Sequence, residues 1–121
     1  MEVRVFLIAD YANTDSSGKL NMLGVFDAIN SSSFPYIHPL MFVVVKLNAE
    51  LGEFGTERQF KIALYDEDMV EKGSAQGTFN VPVPQGGKRA EVNLIVGVRD
   101  LPFENPGRYE WRLLINDDSK M

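Results

Sequence analysis

Large apolar side chains recur at every second position along most of the chain and almost nowhere at the three-to-four spacing of a helix, so the pattern predicts strands. Phe60, Ile62 and Leu64 alternate with Lys61, Ala63 and Tyr65, and near the end Tyr109, Trp111, Leu113 and Ile115 alternate with Glu110, Arg112 and Leu114. On a pleated strand each such set shares one face. Val92, Leu94, Val96 and Val98 repeat the pattern with Glu91, Asn93 and Gly97 opposite, although Ile95 gives the second face an apolar member. The run from Leu40 to Leu47 is apolar on both faces, Phe42 and Val44 interleaving with Met41, Val43, Val45 and Leu47. Such a strand is expected at the centre of a sheet, covered on both sides or lying at an interface.

Turn residues fall between these runs. The polar stretch from Asn13 to Gly18 separates a first strand, about Val3 to Ala9, from a second, about Lys19 to Ile29, and predicts a hairpin. Asn30 to Pro39 holds three serines and two prolines, which excludes an internal sheet strand and predicts a crossover between sheets. Glu50 to Gly55 opens the next hairpin, and Asp66-Glu67-Asp68 makes a charged turn before Met69 to Lys72. A further short strand is expected from Ser74 or Gln76 to Val83, ended by Pro84 to Gly87, and Asn105-Pro106-Gly107 turns the chain into its last long strand. Seven or eight short strands without a helical segment predict an all-β chain, a single antiparallel β-sandwich domain with an immunoglobulin-like or C2-like layout. The alternative is a small closed β-barrel.

Composition narrows the function. Seventeen acidic against twelve basic residues leave a net charge of -5, a field that repels phosphate backbones and anionic lipid surfaces, so neither nucleic acid nor a membrane is the expected partner. The absence of cysteine removes disulfide and thiolate chemistry. Met1 to Ala9 and Leu40 to Leu47 are about half the length of a membrane-spanning helix. Glu2 and Arg4 interrupt the apolar run that a signal peptide would need, which gives a cytoplasmic expectation.

Four phrases, Ala9-Asp10-Tyr11-Ala12, Gly18-Lys19-Leu20-Asn21-Met22-Leu23-Gly24-Val25-Phe26-Asp27, Phe34-Pro35 with His38-Pro39, and Pro106-Gly107-Arg108-Tyr109-Glu110-Trp111, occur in this order. Together they resemble a family of small bacterial proteins known only as a domain of unknown function. The resemblance spans nearly the whole chain and is most specific from Gly18 to Asp27. It implies a stand-alone β-sandwich and carries over no activity, cofactor, partner or site residue.

Candidate chemistry is sparse. His38, the only histidine, has no second histidine or cysteine for a metal, and Ser31, Ser32 and Ser33 lack the elbow that would hold a nucleophile beside it; a backbone hydrogen bond at a strand entrance is its expected role. The acids Asp66, Asp68, Asp117 and Asp118, with Asp10, Asp15 and Asp27 near the first hairpin, are calcium candidates, because C2-like sandwiches gather carboxylates from loops at one end. Solvated turns are the ordinary reading of the same residues. Gly24 inside the second strand marks a bulge, a bend or a close backbone approach, with a bulge expected. Gln85-Gly86-Gly87-Lys88-Arg89 lacks the spacing of a phosphate loop and reads as a hairpin turn. Trp111, Tyr109, Phe103, Phe60 and Phe26 could form a sugar platform, but alternation puts Trp111 and Tyr109 on the core face. The remaining surface candidate is the second face of the central strand, Phe42 and Val44. The resulting expectation is a non-enzymatic interaction module without cofactor, a homo-oligomer or the binder of another protein. A calcium- or carbohydrate-binding sandwich using the acidic loops is the alternative, and a small hydrolase centred on His38 a third.

Overall fold

A computed structural model of the chain describes residues 1–84, 86, 89–116 and 118–119, the last two by their backbone. The strands are β1 (Glu2–Thr14), β2 (Leu20–Phe26), β3 (Tyr36–Ala49), β4 (Glu57–Tyr65), β5 (Glu71–Asn80), β6 (Ala90–Phe103), β7 (Glu110–Ile115) and the two-residue β8 (Asp118–Ser119), with one 3-10 turn at Leu51–Glu53. They form two antiparallel sheets, β2-β1-β3-β6 and β5-β4-β7-β8, the layout of an all-β sandwich. Each sheet has two ends among the described residues, which sets the closed barrel aside. By its internal contacts the chain divides into two compact units, Met1–Arg4 with Lys46–Val92 and Gly107–Met121, and Val5–Val45 with Asn93–Pro106.

In the first unit the two clearest alternations lie side by side. β4 pairs with β7 through Phe60↔Ile115, Ile62↔Leu113 and Leu64↔Trp111, so the apolar face of one strand continues onto the other. Ile62 and Leu113 are wholly buried, Leu64 and Ile115 nearly so, and Trp111 is half-buried. On its other side β4 pairs with β5, where Phe60 faces Gly77; a Cβ at Gly77 would stand 3.1 Å from the Phe60 ring. The 3-10 turn is pinned by Glu53, whose Oε1 accepts from the Glu50 backbone N–H at 3.0 Å and from the Met1 amine at 2.8 Å, while Oε2 lies 3.8 Å from Arg58. Burial alone would raise the Glu53 pKa, but the hydrogen bonds from the Met1 amine and Glu50 and the charges of that amine and Arg58 outweigh it, and the carboxyl is held below its ordinary value.

In the second unit β1 and β2 form the expected hairpin, in unbroken register from Ile8↔Phe26 to Thr14↔Leu20. Its turn is organised by Asp15, whose Oδ1 accepts from the Ser17 hydroxyl at 2.7 Å and from the N–H groups of Ser17 and Lys19, both at 2.9 Å. The Ser17 hydroxyl, followed by the Lys19 amide, lowers the Asp15 pKa. β3 lies between β1 and β6, the central place expected for the Leu40 to Leu47 run. Val43, Val44 and Val45, which point alternately to the two faces, all have 0% exposure.

Several boundaries differ from the expectation. Tyr36 to Pro39 belong to β3, and residues 27–35, which contain a cis Phe34-Pro35 bond, join β2 to β3 within one sheet instead of crossing between sheets as expected. Pro39 is accommodated near the start of the strand, where the burial phase slips: Tyr36 and His38 are the less exposed positions before it, Met41, Val43 and Val45 the buried ones after it. The two short strands expected between residues 69 and 83 are one, β5. Gly24 is no bulge, since Ala9↔Val25 and Tyr11↔Leu23 keep the register on either side of it. It adopts φ 69, and a Cβ there would overlap Asp10 Oδ2 and stand 2.9 Å from Asp10 Cγ. Close approach is the reason for this glycine. Of the stretch Gln85 to Arg89, Gln85, Gly87 and Lys88 lie outside the described residues.

Three substitutions test these assignments by urea unfolding. Leu113→Ala, which empties a wholly buried position opposite Ile62, is expected to cost about 2–5 kcal/mol. Gly24→Ala is expected to cost about 1–3 kcal/mol from its left-handed backbone and the Asp10 overlap, and Asp10→Ala in the same chain should recover only part of that loss. Glu53→Gln should cost about 1–2 kcal/mol at neutral pH. Because the folded-state pKa of Glu53 is depressed, its contribution is present above the unfolded value, near 4.5, and is lost as pH falls through the folded one. The difference between wild type and Glu53→Gln should therefore shrink on acidification.

Candidate functional site

The pleat of β1 sets Leu7, Ala9 and Tyr11 on one face, and the register with β2 places Val25 beside Ala9 and Leu23 beside Tyr11. β3 continues this face with Phe42, whose ring meets the edge of Tyr11 at 5.4 Å between centroids. β6 completes it with Gly97, where a Cβ would stand 3.3 Å from the Phe42 ring. Exposure along this face rises toward β2: Val44 and Ala9 are at 0%, Phe42 is half-buried, Tyr11 is 49% exposed, Val25 52% and Leu23 67%. Tyr11, Leu23, Val25 and Phe42 lie within the second unit, and on β1 and β2 the positions from 5 to 13 and from 21 to 25 that share this face are uncharged.

This geometry corrects the sequence-based choice of surface residues. Val44 is sealed inside the chain's own fold, and Phe42 is partly covered where Tyr11 packs against it over the gap left by Gly97. The accessible apolar residues of the same face are Leu7, Tyr11, Leu23 and Val25. Their signal was present in the sequence: Leu20 to Phe26 is apolar on both faces, like Leu40 to Leu47, and contains no charge.

The other candidates remain apart. His38 sits in β3 with its Nδ1 3.4 Å from the Tyr36 hydroxyl, and with Phe26 and Tyr36 ring centroids at 5.7 Å and 5.9 Å. The Ser31 hydroxyl donates to the Ser33 carbonyl at 2.7 Å. Asp66 caps its own turn, Oδ1 accepting from the N–H groups of Asp68 and Val70 at 2.9 Å each. The Val70 amide, ahead of Asp68 and the Lys72 charge, holds the Asp66 carboxyl below its usual value. Asp68 is exposed. Asp117 lies outside the described residues, as does the side chain of Asp118. Among the described residues no three His, Cys, Asp or Glu side chains gather to hold a metal ion. Of the aromatic residues, Phe103 is buried and Phe26, Phe60, Tyr109 and Trp111 are half-buried.

A recess of about 300 Å³ in the first unit is lined by Gln59, Lys61, Gln76, Thr78, Leu114 and Asn116. Asn116 Oδ1 accepts from the Gln59 N–H at 2.9 Å, and Lys61 bonds Glu71 at 2.8 Å. The Glu71 hydrogen bond and charge raise the Lys61 pKa. The recess holds amides and one paired cation but no base or nucleophile set beside another, so its chemistry is that of hydrogen bonding.

Among the described residues no helix is long and apolar enough to cross a membrane. The chain matches, over residues 4–121, the model of a family described as a family of unknown function, DUF6941, and belongs to it. No curated protein and no solved structure matches the chain.

Proposed function

We propose that the protein is a non-enzymatic β-sandwich interaction module that associates with a second copy of itself through the apolar face of β1 and β2. The observation that supports this reading is the pairing of Tyr11 with Leu23, and of Ala9 with Val25, where Leu23 is 67% and Val25 52% exposed. Single exposed apolar residues need no explanation, whereas a registered group of them on adjoining strands favours a contact. A like copy suits this surface for two reasons. Each molecule carries a net charge of -5 and repels its fellows at a distance, yet Tyr11, Leu23 and Val25 set no like charges against each other. A two-fold contact also uses one patch twice and closes on itself.

Sedimentation velocity at loading concentrations from about 1 to about 300 μM, a span suited to a contact of modest strength, is expected to show a reversible monomer–dimer equilibrium. Leu23→Lys should shift it to monomer. Because Leu23 is mostly exposed, that substitution should leave the unfolding free energy of the monomer, from urea titration at low concentration, within about 0.5 kcal/mol of wild type. A wild-type monomer over the whole range would overturn the reading.

A further inference from the structure

We infer that the second copy adds to the free edge of β2, strand to strand and antiparallel, about a two-fold axis at Leu23; this rests on the self-association proposed above and gives it a geometry. The end strands of the two sheets are β2, β6, β5 and β8. An unpaired edge is a template for another strand, and proteins blunt it with charge, proline, brevity or irregular backbone. β6 carries Glu91, Arg99, Asp100 and Pro102, with Asp100 at φ 52. β5 opens with Glu71 and Lys72, and β8 has two residues. β2, Leu20-Asn21-Met22-Leu23-Gly24-Val25-Phe26, has neither charge nor proline. Its one irregularity is Gly24, at φ 69, and the register with β1 is unshifted on both sides of it, so the strand keeps its course.

The charges at the two ends of β2 fix the register. Lys19 immediately precedes the strand and Asp27 immediately follows it, and both side chains are exposed. Among the described residues neither side chain has an ion-pair partner. In an antiparallel pair centred on Leu23, Leu20 stands opposite Phe26 of the second copy, Met22 opposite Gly24, and Lys19 opposite Asp27. Opposite charges then meet at both ends of the seam, while Leu23 meets its own counterpart at the centre. Successive residues of β2 direct their N–H and C=O groups alternately toward β1 and toward the free side, so either phase leaves a ladder for the second copy. Leu23 and Tyr11 share a face, and the apolar surface continues across the axis from one Tyr11 to the other.

The chain has no cysteine, which makes engineered cross-links a direct test. At the axis the two Cα atoms at position 23 would lie about 4.5–5.5 Å apart, within the roughly 4.4–6.8 Å that a disulfide spans. The two at position 25 would be offset by four residues along the strands, more than about 13 Å. Under oxidised glutathione, Leu23→Cys is expected to form a covalent dimer. Val25→Cys and Leu51→Cys, the latter at a position 81% exposed in the other unit, should yield only the slow background of collision. In sedimentation equilibrium, Lys19→Asp should weaken the dimer about fivefold through its two symmetry-related pairs, and Asp27→Lys added to it should restore the wild-type constant. A wild-type dimer in which Val25→Cys cross-links as fast as Leu23→Cys, or in which the double reversal fails to restore affinity, would overturn the strand-edge register and leave self-association standing. A wild-type monomer at every concentration would overturn both.

Discussion

The burial of Val43, Val44 and Val45, all without exposure, is the constraint from which the arrangement of the second unit follows. Consecutive residues of a strand point to opposite faces, so three successive buried valines require cover on both sides. β3 must then be an interior strand, and β1 and β6 flank it. Phe42, on the face shared with Val44, is accommodated because Gly97 removes a side chain on one side and Tyr11 turns its ring edge toward it on the other. The interior position of β3 also fixes what is left outside: β2 is reached only through β1, and its apolar residues stand furthest from this buried centre.

That order gives the apolar face its gradient. Val44 and Ala9 are sealed, Tyr11 is partly open, and Leu23 is mostly open. A domain of this size cannot cover every apolar group, and scattered ones carry no message. Here they are registered on neighbouring strands and stop at an edge without charge, between Lys19 and Asp27, whose side chains have no ion-pair partner among the described residues. The proposed role at this edge depends on backbone groups and side-chain shape, whereas Asp15 and Asp66 bond their own turns and His38 makes ring contacts.

Much of the fold was legible because alternation reports which residues share a face. Strands over Phe60 to Tyr65 and Glu110 to Ile115 and a first hairpin emerge as expected, although β1 runs on to Thr14 and β2 stops at Phe26, and the two-faced Leu40 to Leu47 run lies at the centre of its sheet. Alternation is silent about which strand neighbours which. For that reason the surface was sought at Phe42 and Val44, when strand order leaves Leu23 and Val25 open instead. The extension of β3 back to Tyr36 was hidden by Pro39, which the strand tolerates near its start with a change of burial phase. Gly24 was recognisable as special, but its actual cause, the Asp10 carboxylate lying where a Cβ would go, is a contact between strands that no local spacing encodes. The acids in turns gave the opposite difficulty: Asp15 and Asp66 are well placed to bond their own loops, a role that looks the same in sequence as half of a metal site.

The uncharged edge strand β2 is the proposed meeting place of the molecule with its second copy. Amide hydrogen exchange measured at low and at high protein concentration reads this strand by strand without altering a residue. Raising the concentration should slow exchange in Leu20–Phe26 and leave β5 and β6 unchanged. Equal exchange in β2 at both concentrations, or added protection confined to β5 or β6, would contradict it.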